Sequence, residues 1–339
     1  MEPGLLKSAD WPILIDIYFF LGGIAGGAFV VATIAGFLDG PSTRLGAGQR
    51  YRDVVRTGYW VALFAILPCP VLLIIDLGLP SRFLSMLMVS KPSTAIGMSA
   101  VTAGPLHFKP YSPMSAGAWG LMVFSTCAFV CAAETWLTDR KGRAFPRLRA
   151  IAGVVGAVAG FFLAAYPGVL LGATARPLFI SAHWLGALFL AVGAATGSAA
   201  IALVLGWRHG SAAQAALARV MTVASVALII QSVALALFIV SVRSAGSAGV
   251  DAALSQLLTG SQSVPFWLGA VLCGTVLPLL LQFPVVRDRV SQWVRLKADT
   301  TSMTTTSMTI VRAALVLAGG FLIKFVLLEA GQAPLNGLG

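Results

Sequence analysis

The chain has 339 residues, 58% hydrophobic and only 10% charged, with a formal net charge of +11. A soluble domain carries roughly 25% charged residues, so an ordinary aqueous surface is excluded. The positive charge sits mostly between apolar runs, as in the cytoplasmic loops of a membrane protein, and no nucleic acid is expected as a partner.

A helix needs about 20 mostly apolar residues to cross a bilayer. Runs of that kind predict helices near 13–38, 54–77, 114–137, 149–173, 178–206, 217–242, 264–285 and 310–329. The expected fold is therefore an all-α integral membrane protein of about eight transmembrane helices. The first run is too long for a signal-peptide core and no small-residue cleavage site follows a basic start, so it is expected to act as an uncleaved signal. The linkers 78–112 and 244–263 are too polar, or too broken by Pro and Gly, to span, and 298–309 reads as a Thr-rich loop. Sixteen of the Lys and Arg residues fall on one side of this arrangement and seven on the other. The richer side is expected to be cytoplasmic, which puts both termini outside. Cys69, Cys127, Cys131 and Cys273 all lie inside apolar runs, where free Cys behaves as a small hydrophobe. No Cys-x-x-Cys pair offers an iron–sulfur or zinc framework.

Polar groups are expensive inside a membrane and mark sites. Here they gather at the outer ends of the early helices. Asp16 and Tyr18 open the first helix, Asp76 closes the second, and Ser112, Ser115 and Trp119 open the third. Tyr166 lies in the last third of the fourth helix, followed by Arg176 and then by His183 at the start of the fifth. Each has a plainer reading. Asp16 could face water at the interface, Asp76 could pair with Arg82 at a Gly- and Pro-marked helix end, and Tyr18, Trp119 and Tyr166 could belong to an aromatic belt. His183 alone reads as a structural histidine. Glu134, near an inner end, is either a proton-path residue or an interfacial acid beside Arg140, and Lys324 is expected to snorkel outward. The runs Gly22-Gly23-Ile24-Ala25-Gly26-Gly27 and Gly193-Ala194-Ala195-Thr196-Gly197 should let helices approach closely. They sit at comparable depth in helices one and five, which hints at two related four-helix halves.

Bis-histidine haem needs facing pairs of His, and of the three histidines only His183 falls in a span, since His107 and His209 are in linkers. No haem and no iron–sulfur cluster is expected in this chain.

Trp11 with Tyr18-Phe-Phe-Leu-Gly-Gly-Ile-Ala-Gly-Gly27 resembles the first-helix signature of the NrfD / polysulfide reductase membrane-subunit family. Asp76-Leu-Gly-Leu-Pro-Ser-Arg-Phe83, Ser112-Pro-Met-Ser-Ala-Gly-Ala-Trp119 and Tyr166-Pro-Gly-Val-Leu-Leu171 with Arg176-Pro-Leu178 are similar to further motifs of that family. The likeness covers roughly residues 11–200. The last third matches in hydropathy and in Gly319-Gly320-Phe-Leu-Ile-Lys324, where the family pattern would have Arg. Longer spacing at 84–111 and Pro167 inside the tyrosine motif depart from the pattern.

The resemblance implies two four-helix bundles, residues 1–206 holding the first bundle plus helix five with the site motifs, and 207–339 the rest of the second. It implies a bacterial or archaeal cytoplasmic membrane and a quinone, menaquinone or ubiquinone, bound near the outer surface by Asp16, Tyr18, Asp76, Ser112, Trp119, Tyr166, Arg176 and His183. It further implies a ferredoxin-like iron–sulfur subunit docked outside, beside a molybdopterin or other catalytic subunit; Arg82 of the motif, with the added Lys91, His107 and Lys109 of the longer linker, are its expected docking residues. Proton translocation would be possible, with Glu134 a candidate for its path. A transporter or channel would instead place charged sites at the midplane of both halves, and a purely structural anchor would leave Tyr166 and Asp16 dispensable.

Overall fold

The computed structural model describes residues 12–39, 51–77, 83, 87, 101–103, 106–108, 112–174, 176–180, 182–209, 214–246, 248–283 and 305–332. These residues are overwhelmingly helical. In chain order they form α1 (Ile13–Asp39), α2 (Arg52–Ile66), α3 (Pro68–Asp76), α4 (Pro113–Lys141), α5 (Pro146–Gly172), α6 (Pro177–Ile180), α7 (Leu185–His209), α8 (Gln214–Ser244), α9 (Ala248–Leu258), α10 (Pro265–Leu280) and α11 (Thr305–Gln332). Between α3 and α4 lies a short antiparallel hairpin, β1 (Val101–Ala103) and β2 (Leu106–Phe108), with Thr102 opposite His107. The linker reading anticipated no strand there.

Seven helical stretches are long and apolar enough to cross a membrane, with α2 and α3 together making one of them, Arg52–Asp76. Leu67 joins α2 to α3, and Pro68 and Pro70 explain the break, since neither can donate a helical backbone bond. The remaining expected span, the seventh in chain order, falls on α10. Its residues Pro265–Val276 are wound as a π-helix, and Leu277–Leu280 continue as α-helix. At an α-helical rise α10 would reach roughly 24 Å, short of a hydrocarbon core of about 30 Å.

Helix ends follow local chemistry. Ser112 caps α4, its hydroxyl accepting from the Ser115 backbone N–H at 3.4 Å, with Pro113 in the first helical position. Gly142 stops α4 in the left-handed region, with φ +63°. At the same end of the molecule, Asp139 of α4 binds Arg52 at 2.6 Å and Arg56 at 3.0 Å, both from α2.

α1 is the hub. It packs against α2, α3, α5, α7 and α11. α4 packs on α5 and α2; α7 packs on α8 and α11, and α10 packs on α11. The α1–α7 crossing runs glycine on glycine: a Cβ on Gly27 would collide with the Gly193 carbonyl, and one on Gly197 with the backbone of Gly27 and Ala28. Where α1 meets α5, a Cβ on Gly26 would come within 2.6 Å of the Gly160 carbonyl oxygen. The two small-residue runs thus meet each other, as their packing role requires. Outward, Ile34, Phe64, Phe129, Val158, Ile230 and Val240 stay exposed, as a lipid-facing surface requires.

Because Gly27 and Gly197 leave no space at this crossing, Gly27→Leu and Gly197→Leu should each cost about 1–3 kcal/mol or more. Both should lower the folded yield and the thermal midpoint in detergent, whereas Ile34→Leu on the outer face should leave them unchanged.

Candidate functional site

A cavity of about 440 Å³ lies between α1, α3, α4 and α5. Its walls are apolar, including Ile15, Phe19, Leu73, Ile74, Leu121 and Leu170, and its polar groups are Tyr18, Asp76, Ser125, Thr126 and Tyr166. Helical periodicity supplies this face. On α1, positions 15, 18 and 19 share one side; on α5, Tyr166 and Leu170 are one turn apart. Tyr18 is 3% exposed and Tyr166 5%. The Tyr166 ring lies directly against Gly117 of α4, where no Cβ would fit, and 5.5 Å from the Phe162 ring. Gly117 is therefore what lets the phenol sit in the cavity wall.

Three of the eight residues expected at the site, Tyr18, Asp76 and Tyr166, line this cavity together. The others lie elsewhere. Ser112 is committed to the α4 cap. Trp119 packs edge-on against Phe108 of β2, with centroids 6.4 Å apart. Arg176 reaches the other half of the molecule, donating to the Gln332 carbonyl at the end of α11 at 3.5 Å. His183 is exposed. Asp16 is buried at 1%, but it turns away from the cavity, about 100° around α1 from Ile15. Both of its carboxylate oxygens are buried without a hydrogen-bond partner, and it lies within electrostatic reach of Lys324 and Glu329 on α11.

Lys324 does not snorkel. It is 1% exposed and donates to the Phe19 carbonyl oxygen of α1 at 2.6 Å, with its ammonium 5.3 Å from the centre of the Phe189 ring. Of the residues expected to dock a partner, Arg82, Lys91 and Lys109 lie outside the described residues, and His107 is described by its backbone in β2 alone.

Some lining groups escaped the sequence reading. Ser125 and Thr126 lie well inside α4, in a run read only as apolar, and Leu87 comes from the linker. No motif marked them, although Ser125 and Thr126 fall two turns along from Ala118 on the same helix.

A second cavity, about 290 Å³, sits at the opposite end, lined by Thr33, Gly36, Phe37, Tyr59, Pro146, Arg149 and Ala150. Near it Glu134 is held by the Arg149 guanidinium at 3.4 Å, the Phe145 backbone N–H at 3.1 Å and the Thr138 hydroxyl at 3.2 Å. Its partner is thus Arg149 rather than Arg140. Among the described residues no group of three or more His, Cys, Asp or Glu could hold a metal ion.

The model of the family described as "Polysulphide reductase, NrfD" matches residues 2–336. This chain belongs to the NrfD family. Among curated proteins, the C subunit of polysulfide reductase from Wolinella succinogenes is 24% identical over 340 residues, covering 95% of this chain and 93% of that one. The NrfD match runs through the C-terminal third as well, well beyond the residues 11–200 that the motifs alone reached.

Glu134 joins α4 to the start of α5 through a side chain almost wholly buried, while its Arg149 partner stays partly exposed. Glu134→Ala should therefore cost about 2–3 kcal/mol, below the roughly 3–5 kcal/mol for breaking a wholly buried pair. A drop in the thermal midpoint of the purified protein would show it, and an unchanged midpoint would assign the pair no structural role.

Proposed function

We propose that this chain is the quinone-binding membrane subunit of a multi-subunit oxidoreductase, passing electrons between a quinone or quinol and an iron–sulfur partner docked outside the membrane. The observation that carries this reading is the cavity itself: apolar walls with two phenols and a carboxylate converging on it. Its volume falls in the range of small-molecule sites, and the donor set fits a quinone ring, whose carbonyl oxygens accept hydrogen bonds and whose remainder is apolar. Membership in the NrfD family and the similarity to a subunit of a polysulfide reductase support the same reading.

The quinone supplies the two-electron, two-proton chemistry when bound. Tyr18 and Tyr166 would donate hydrogen bonds to its carbonyl oxygens and fix the ring's orientation. Asp76, at the end of α3, would exchange protons there. Phe19, Leu121 and Leu170 would exclude water and hold the ring and tail. In this reading α10 and its flanking residues complete an eighth crossing. α1 to α5 and α7 to α11 then form two four-helix bundles in a bacterial or archaeal cytoplasmic membrane, with both termini outside. Arg82, Lys91, His107 and Lys109 would take part in docking the partner, with a molybdopterin or other catalytic subunit beyond it.

The test uses the complex purified from its native membrane. Tyr166→Phe and Tyr18→Phe each remove one hydroxyl, worth about 0.5–1.5 kcal/mol, or roughly 2–12-fold in affinity. The expected result is a rise in KM for a soluble naphthoquinol with the protein still folded. Full quinol-linked activity with unchanged KM in the double variant would sink the assignment, and a protein that purifies with neither quinone nor a redox partner would sink the function.

A further inference from the structure

Lys324 is the most deeply buried cation described, and the cavity does not contain it. Its ammonium occupies a slot bounded by α1, α7 and α11. Gly23 forms one wall, where an added Cβ would stand 2.6 Å from Nζ, and the Phe189 ring forms another. The ammonium donates to the carbonyl oxygen of Phe19. Phe19 is also a cavity residue: its side chain lines the wall beside Tyr18, while its backbone carbonyl oxygen holds the lysine. Asp16 sits one turn before Phe19 on the side facing α11, with neither carboxylate oxygen hydrogen-bonded. A buried charge is expensive to hold without compensation. This one is met by a backbone carbonyl and an aromatic face, with Asp16 within electrostatic reach.

We propose that Lys324 is a positioning residue for the cavity: by binding the Phe19 carbonyl through the gap left by Gly23, it fixes the turn of α1 that aims Tyr18 and Phe19 at the ligand. The effect on the ligand rests on the reading of the cavity as a quinone site. The latch itself, a side chain of α11 holding the backbone of α1, does not. Thus a residue more than 300 positions from Tyr18 in sequence sets where Tyr18 stands.

The test compares wild type with Lys324→Met, Lys324→Arg and Gly23→Ala, each as full-length protein in nanodiscs. Backbone hydrogen exchange over residues 18–23 reads the latch, and equilibrium binding of a short-chain naphthoquinone reads the cavity. Lys324→Met should speed exchange in that turn several-fold and weaken naphthoquinone binding roughly 2–12-fold, the loss expected when the Tyr18 hydroxyl is misplaced. Lys324→Arg, which keeps the donor, should recover most of both. Gly23→Ala should reproduce the Met defect with the lysine still present, because its methyl displaces the ammonium, and it serves as the test variant should Lys324→Met fail to fold. Unchanged exchange in Lys324→Met and Gly23→Ala would overturn the latch, and faster exchange with unchanged binding would overturn the positioning role. If wild type binds no naphthoquinone, the quinone reading of the cavity falls, and exchange alone decides the latch.

Discussion

The architecture depends on the close approach of α1 and α7. In a bilayer no hydrophobic force draws helices together, so association comes from tight packing and buried hydrogen bonds. Gly23, Gly27, Gly193 and Gly197 bring no side chain of their own to that crossing, and the two backbones touch. Once α1 lies that close to α7, its other sides are available to α2, α3, α5 and α11. Larger residues at the crossing would push α1 outward and open all of these contacts together.

That central position gives α1 two duties on two faces. Ile15, Tyr18 and Phe19 turn toward the cavity, while Asp16, Gly23 and Gly27 turn toward α7 and α11. Because a helix advances 100° per residue, neighbours in sequence end on different sides of the same rod. A polar residue on the inner face then meets Lys324, and one on the cavity face meets whatever the cavity holds. The contrast between Tyr18 and Asp16, two positions apart, is this geometry at work.

Position along each helix was legible in the sequence, and facing was not. The runs that defined spans recur as α1, α2 with α3, α4, α5, α7, α8 and α11, because apolar length is a one-dimensional property. Tyr18, Asp76 and Tyr166 were placed at one level by alternating helix direction, and they share a cavity. His183 and Arg176 stand at helix ends of the same region yet point elsewhere, since nothing in one sequence reports the rotation of α7 or the reach of an arginine toward α11. Lys324 misled for the same reason. Outward snorkelling assumes that no acceptor lies within reach, and the acceptor is a backbone carbonyl over 300 residues away. Ser125 and Thr126 carried no motif and became lining residues only when α4 was set against α1 and α5.

The break between α2 and α3 has a mechanical consequence. Pro68 and Pro70 withhold two backbone donors, so the carbonyls of Phe64 and Ile66 lack the bonds that would stiffen a continuous rod. Beyond that joint, α3 supplies Pro70, Leu73, Ile74 and Asp76 to the cavity and turns Val71 and Ile75 outward to the lipid. One cavity wall thus hangs from a joint that lacks two of the backbone hydrogen bonds of a continuous helix. On the quinone reading proposed above, a guest dissolved in the bilayer would meet this weakened wall from its lipid-facing side, as at a door rather than a keyhole.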